Sequence, residues 1–187
     1  ERKLSTIMKL TFQKDDLLNG INIVLKAVPS KTTMPILECI LIDASDNQIK
    51  LTANDMELGI ETKVEGSILS KGKIALDAKL LSEIIRKLSG GESDITIESD
   101  DKYNTTITCD NSVFHIQGKN GDEFSYLPFI EKDHFICLSQ FTLKEVIRQT
   151  LFSISVNDSN KMMTGELFQV TDNELKVVSL DGHRMSI

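Results

Sequence analysis

No apolar run in this chain approaches the roughly 18 to 20 residues that a membrane-crossing helix needs, and no stretch has the pattern of a secretory signal. A cytoplasmic protein without a membrane partner is therefore expected. Cysteine is scarce: Cys39, Cys109 and Cys137 are odd in number and share no CxxC spacing. That pattern disfavours a disulfide frame or a thiolate metal site and predicts three buried free thiols. Histidine is as scarce, with three residues, and the chain has no HExxH, no nucleophile elbow and no Gly-rich phosphate loop. Catalytic residues, a metal and a cofactor are accordingly not expected. Basic charge is also in deficit, the net charge being −7. This argues against holding nucleic acid by phosphate neutralisation over the whole surface, but leaves room for a local basic strip or for a protein that encloses its polymer.

What the chain does have is an ordinary globular composition, 40% apolar and 26% charged, and an internal repeat. Leu167, Asp172, Asn173, Leu175, Lys176, Val177 and Asp181 stand 126 positions after Leu41, Asp46, Asn47, Ile49, Lys50, Leu51 and Asp55. The same offset pairs Leu143, Ile147 and Leu151 with Leu17, Ile21 and Leu25, without a gap. A fixed self-similarity of this length marks a duplicated structural unit. The expected organisation is a first domain over 8–133 and an incomplete second one over 134–187. Glu1 to Ile7, ahead of Met8, are set aside as a leader or a remnant of expression.

The periodicity within each copy is that of an α+β fold. Lys9 to Gln13 alternate as a strand, and Leu17, Leu18, Ile21, Val24, Leu25 and Val28 form one helical stripe stopped at Pro29. Strands are expected over 36–42, 48–53 and 58–64, then again over 73–76, 95–97, 105–109 and 113–117. A second helix carries Leu80, Leu81, Ile84, Ile85 and Leu88, with Asp77 as its cap and Gly90-Gly91 as its end. The two helices are expected to lie across one face of a curved antiparallel sheet. The segment 118–133, with Phe124, Tyr126, Leu127 and Phe129 around Pro128, reads as the crossing between units. Beyond it, His134 to Leu138 restarts the strand, Thr142 and Glu145 form a capping box, and a third helix follows. Met162 to Val170 and Glu174 to Leu180 are then paired strands joined at Asp172-Asn173.

Three stretches are more specific: Thr33 to Leu37, Leu51 to Glu57, and above all Ser179-Leu180-Asp181-Gly182-His183-Arg184-Met185. Together with the repeat, they resemble the beta sliding clamp family of bacterial DNA polymerase III, from Met8 to Ile187. The resemblance implies the DNA clamp fold: repeated units of antiparallel sheet with helices packed on one face, and three such domains in a protomer. It also implies a non-catalytic head-to-tail ring of two protomers that encircles duplex DNA. Such a ring tethers DNA polymerase III, the clamp loader and repair proteins through short linear peptides.

On this resemblance the peptide groove maps onto Met163, Leu180, Gly182, His183, Arg184 and Met185. Leu180 stands where many relatives have Thr, which makes the groove more apolar. DNA-facing cations are expected at Lys31 and Lys161, and on helix faces at Lys26, Arg86, Lys87, Lys144 and Arg148. The ring-closing anchors are expected at Phe114 and Ile116, which periodicity alone would equally place in the core. Two competing readings are a generic protein-binding scaffold and a hydrolase built on Asp181 and His183, whose i, i+2 spacing can be imagined around a metal. As duplicated positions, Asp55 and Asp181 read better as turn residues that accept backbone hydrogen bonds.

Overall fold

The computed structural model describes residues 6–88, 94–125, 135–156, 159–171 and 174–187. The chain forms two compact units, Glu1–Phe129 and Ile130–Ile187. The Gly90-Gly91 and Asp172-Asn173 turns and the cluster from Tyr126 to Phe129 lie outside the described residues.

The first unit begins with β1 (Thr6–Phe12) and α1 (Lys14–Val24), followed by a 3-10 turn at Leu25–Ala27. Thr6 and Ile7, set aside as leader, thus belong to β1, because Thr6 pairs with Asp100. A second 3-10 turn, Pro35–Glu38, precedes β2 (Cys39–Asp43), β3 (Ile49–Asn54) and β4 (Gly59–Val64). The strand expected from Ile36 therefore starts three residues later. Pro35 sits in the first turn with its φ preset, and the Met34 carbonyl accepts the Leu37 amide at 3.0 Å, which curls the chain before it extends.

Then come β5 (Ser67–Ser70), β6 (Lys73–Asp77) and α2 (Ala78–Lys87), and after them β7 (Ile95–Asp100), β8 (Asn104–Cys109), β9 (Ser112–Gln117) and β10 (Lys119–Asn120). Asp77 caps α2 as expected, accepting the Leu80 amide at 2.8 Å. β5 and β10 were not foreseen. Both are short, and each is made a strand by the neighbour it pairs with, β1 for β5 and β6 for β10.

Pairing exchanges the first strands of the two halves. One sheet runs β5-β1-β7-β8-β9 and the other β10-β6-β2-β3-β4. So β1 joins the strands that follow α2, and β6 joins those that follow α1. The expected single curved sheet is in fact two five-stranded sheets around one core. Leu10 and Phe12 of β1, Leu17 and Ile21 of α1, Ile40 and Ile42 of β2, and Leu81 and Ile85 of α2 are all at most 1% exposed in that core. β2 is buried on its other face as well, where Cys39 and Leu41 pack with Ala75 and Phe124. Burial on both faces explains its continuous apolar run. Phe124, read as part of a crossing, is instead a core residue, 2% exposed.

The second unit repeats this order at the same offset. α3 (Gln140–Thr150) and the 3-10 turns Leu151–Ser153 and Lys161–Thr164 begin and end 126 residues after α1 and the 3-10 turns Leu25–Ala27 and Pro35–Glu38. β12 (Leu175–Leu180) likewise matches β3, with β11 (Leu167–Val170) and β13 (Met185–Ser186) on either side of it. Met162 to Thr164 are therefore turn rather than strand, just as Ile36 to Glu38 are.

Three further expectations are corrected here. Of the strand expected over His134 to Leu138, Phe135 to Leu138 form none and His134 lies outside the described residues, although β1 occupies the matching place. β1 is held as a strand by β5 and β7, which pair with it on either side. In the same segment Cys137 is exposed, while Cys39 and Cys109 are buried as expected. The cap of α3 is Ser139, whose Oγ accepts the Thr142 amide at 3.0 Å. Thr142 lies inside the helix, and Glu145 is engaged by Arg148 instead of reaching back to the cap.

Candidate functional site

β12 and β13 are joined by a tight turn whose geometry rests on Asp181. Its Oδ1 accepts the His183 and Arg184 amides at 3.0 Å each, and the Asp181 amide donates to the Arg184 carbonyl at 3.2 Å. These backbone donors hold the Asp181 carboxyl below the usual carboxylate range, with Arg184 adding to the effect. Gly182 takes φ +85°, a left-handed conformation that favours glycine, and the space where its β-carbon would stand is open. The first unit has the same turn: Asp55 Oδ1 accepts the Glu57 amide at 2.9 Å and the Leu58 amide at 2.7 Å. The expectation that both aspartates serve their turns is met. The hydrolase reading loses its base, because Asp181 meets His183 through the backbone amide and spends its second oxygen on Arg184. Among the described residues, no group of three or more His, Cys, Asp or Glu side chains is placed to hold a metal ion.

Around this turn Leu180, Gly182, His183, Arg184 and Met185 line an open depression of about 290 Å³. Five of the six expected groove residues are thus brought together. The sixth, Met163, is half-buried in the 3-10 turn Lys161–Thr164, where its carbonyl accepts the Ser155 amide at 2.8 Å, and it is not among the lining residues. Leu180 and Met185 are 38% and 62% exposed, so the surface offers apolar side chains to a ligand. At the place of Leu180 the first unit has Asn54, which is buried and donates to the Ser125 carbonyl at 2.6 Å. There the chain itself covers the position. The second unit also replaces apolar packing with hydrogen bonds behind the turn. Ser179 Oγ donates to the Thr150 carbonyl and Ser153 Oγ bonds Ser186 Oγ at 2.6 Å, where the first unit has Ala53, Val24, Ala27 and Ile60.

The candidate cations are all exposed, but they are not equivalent. Arg86, on the last turn of α2, donates to Asn22 of α1 at 2.8 Å, and Lys14 bonds the carbonyls of Arg86 and Leu88, so the two helices are tied side by side. Arg148 makes a two-pronged pair with Glu145, at 3.2 and 2.8 Å. That pairing lowers the Glu145 carboxyl and spends part of the positive field. Lys26 lies in the first 3-10 turn, Lys87 closes α2 and Lys144 lies on α3. Lys31 lies before Pro35, whereas Lys161 stands in Pro35's own place in the repeat.

Phe114 and Ile116 do share one side of β9, and that side faces the core. Ile116 is 9% exposed and Phe114 packs partly buried against the same cluster. The exposed apolar side chain of the strand is Val113, at 53%. β9 is nevertheless an edge strand, with one side of its backbone unpaired within its sheet.

Fold and depression together define the class: a repeat-built α+β protein of the clamp fold. The profile described as "DNA polymerase III beta subunit, N-terminal domain" matches residues 8–128, and that of the "central domain" matches 137–187. The chain belongs to the DNA polymerase III beta subunit family. It is 38% identical to the beta sliding clamp of Bacillus subtilis over 96% of its own length and 49% of that protein. Among solved structures, a DNA polymerase III beta subunit of Eubacterium rectale superposes with TM-score 0.89 at 63% identity, over 95% of this chain and 48% of that one. A sliding clamp of Bartonella birtlesii bound to griselimycin gives 0.82 at 29%, with the same coverage. The chain spans about half the length of the curated relatives it matches.

Proposed function

We propose that this chain supplies the first domain and part of the second domain of a sliding clamp. The clamp is a non-catalytic ring of two head-to-tail protomers that encircles duplex DNA and tethers its polymerase. Processivity then comes from topology: a detached polymerase rebinds at high local concentration while the ring stays threaded on its template. This tolerates a net charge of −7, since enclosure holds the DNA and only the inner helices need a positive field. Lys26, Lys31 and Lys87 of the first unit, and Lys144 and Lys161 of the second, are the cations proposed to face the DNA. Arg86 and Arg148 contribute less, being engaged by Asn22 and Glu145. The unpaired edge of β9 is the surface proposed for ring closure, with an edge of Phe114 as its apolar contact.

The observation that carries the reading is the depression formed by Leu180, Gly182, His183, Arg184 and Met185. It is proposed to take short linear peptides from DNA polymerase III and the clamp loader, and to take griselimycin as the Bartonella clamp does. In a retention assay, the full-length protein is expected to stay on closed circular DNA and to slide off once the circle is cut. Retention on the linear form contradicts a topological tether. For the depression, griselimycin is expected to bind the chain and to be displaced by a peptide from the polymerase.

A further inference from the structure

The internal repeat acts as a control that separates what the turn needs from what the depression needs. In both copies a single carboxylate oxygen satisfies the turn, Oδ1 of Asp55 and Oδ1 of Asp181, each accepting two backbone amides. Asp55 is followed three residues later by Leu58, which has no side-chain donor. Asp181 is followed at the same spacing by Arg184, whose Nε donates to Asp181 Oδ2 at 2.9 Å. The ion pair is therefore not required to form the turn, and it occurs in the copy that carries the depression.

We propose that Asp181 is a positioning residue for the ligand depression, fixing the Arg184 side chain as one of its walls. This deepens the functional reading above and rests on it. An arginine stem on the surface samples many rotamers, and a ligand that packs on it must first order it. Bonding through Nε orders the stem in advance and keeps the terminal guanidinium nitrogens available, since the group carries five N–H donors in a rigid fork. The exposures fit this division: Arg184 is 58% exposed, whereas Asp181 is 16% exposed and directed into its turn.

The test is a double-mutant cycle with griselimycin as the probe, read by calorimetry. Asp181→Asn keeps an oxygen for the two amides but removes the charge and the acceptor facing Nε. Arg184→Met keeps an apolar stem and removes the guanidinium. Each single variant is expected to bind about two- to tenfold more weakly, the cost of ordering one rotamer-rich side chain. The double variant is expected to be no weaker than Arg184→Met alone. In parallel, the Arg184 Nε–H resonance is expected to be protected from exchange in the unmodified chain and to lose that protection in Asp181→Asn, with the His183 and Arg184 amide signals retained. Unchanged affinity in Asp181→Asn, or an equal loss in both backgrounds, overturns the proposal while leaving the functional reading intact. No binding by the unmodified chain overturns both.

Discussion

Met56 and Gly182 occupy the same position in two copies of one turn, at φ 76° and 85°. A left-handed backbone costs a residue with a β-carbon about 1–2 kcal/mol, so the first copy tolerates at this position a strain that the second avoids. The turn alone therefore does not dictate glycine at 182. Its missing side chain matters for another reason: the space above it is open and belongs to the depression.

Gly182→Met is accordingly expected to fold, to lose about 1–2 kcal/mol of stability, and to abolish griselimycin binding by filling the depression. Denaturant unfolding and calorimetry read the two effects separately. Retained affinity would mean that the ligand sits elsewhere.

Acid should loosen both turns together. Backbone amides of Leu58 and Glu57 depress the Asp55 carboxyl, and those of His183 and Arg184 depress Asp181. A carboxyl depressed in the folded state contributes stability that is complete above its unfolded value of about 3.9 and is lost as pH falls through the folded value. In NMR titrations the amides at 57, 58, 183 and 184 are expected to shift in step with these carboxyls, with midpoints below about 3.9. Midpoints at or above that value would remove the hydrogen bonds as the cause.

α1 crosses the sheet at Gly20, where an added β-carbon would run into Val64 Cγ2 and lie 3.2 Å from Leu51 Cδ1. Val64 is β-branched and held at χ1, so it yields poorly. Overpacking of about 1–3 kcal/mol should outweigh the roughly 1 kcal/mol that alanine gains in a helix. A lowered melting temperature for Gly20→Ala is expected.

Phe124 covers the outer face of β2 with Cys39, Leu41 and Ala75. Phe124→Ala is expected to cost about 3–5 kcal/mol in denaturant unfolding. A loss below 1 kcal/mol would show that the site collapses around the gap.

Thiol labelling should distinguish the cysteines. Burial pushes the Cys39 and Cys109 thiols up, away from the reactive thiolate, while Cys137 is exposed. One equivalent of reagent is expected to react in the native chain and three after denaturation.

The sequence by itself determined the unit that is repeated and its period, because duplication copies side chains whose spacing survives in the primary structure. It also determined the helices, whose stripes are local, and the turns at Asp55 and Asp181, whose hydrogen bonds span three residues. Through the family resemblance that a contiguous motif carries, it also named the five residues that line the depression. Only the tertiary structure decided which strands pair. The exchange of β1 and β6 between sheets and the strand character of β5 and β10 both depend on partners far along the chain. The same holds for the inward side of Phe114 and Ile116, since a period of two says that they share a face but not which face the core takes. The pairing of Arg184 with Asp181 was within reach of the sequence at i, i+3. Its meaning emerged when Leu58 was found in the same place, making no such bond.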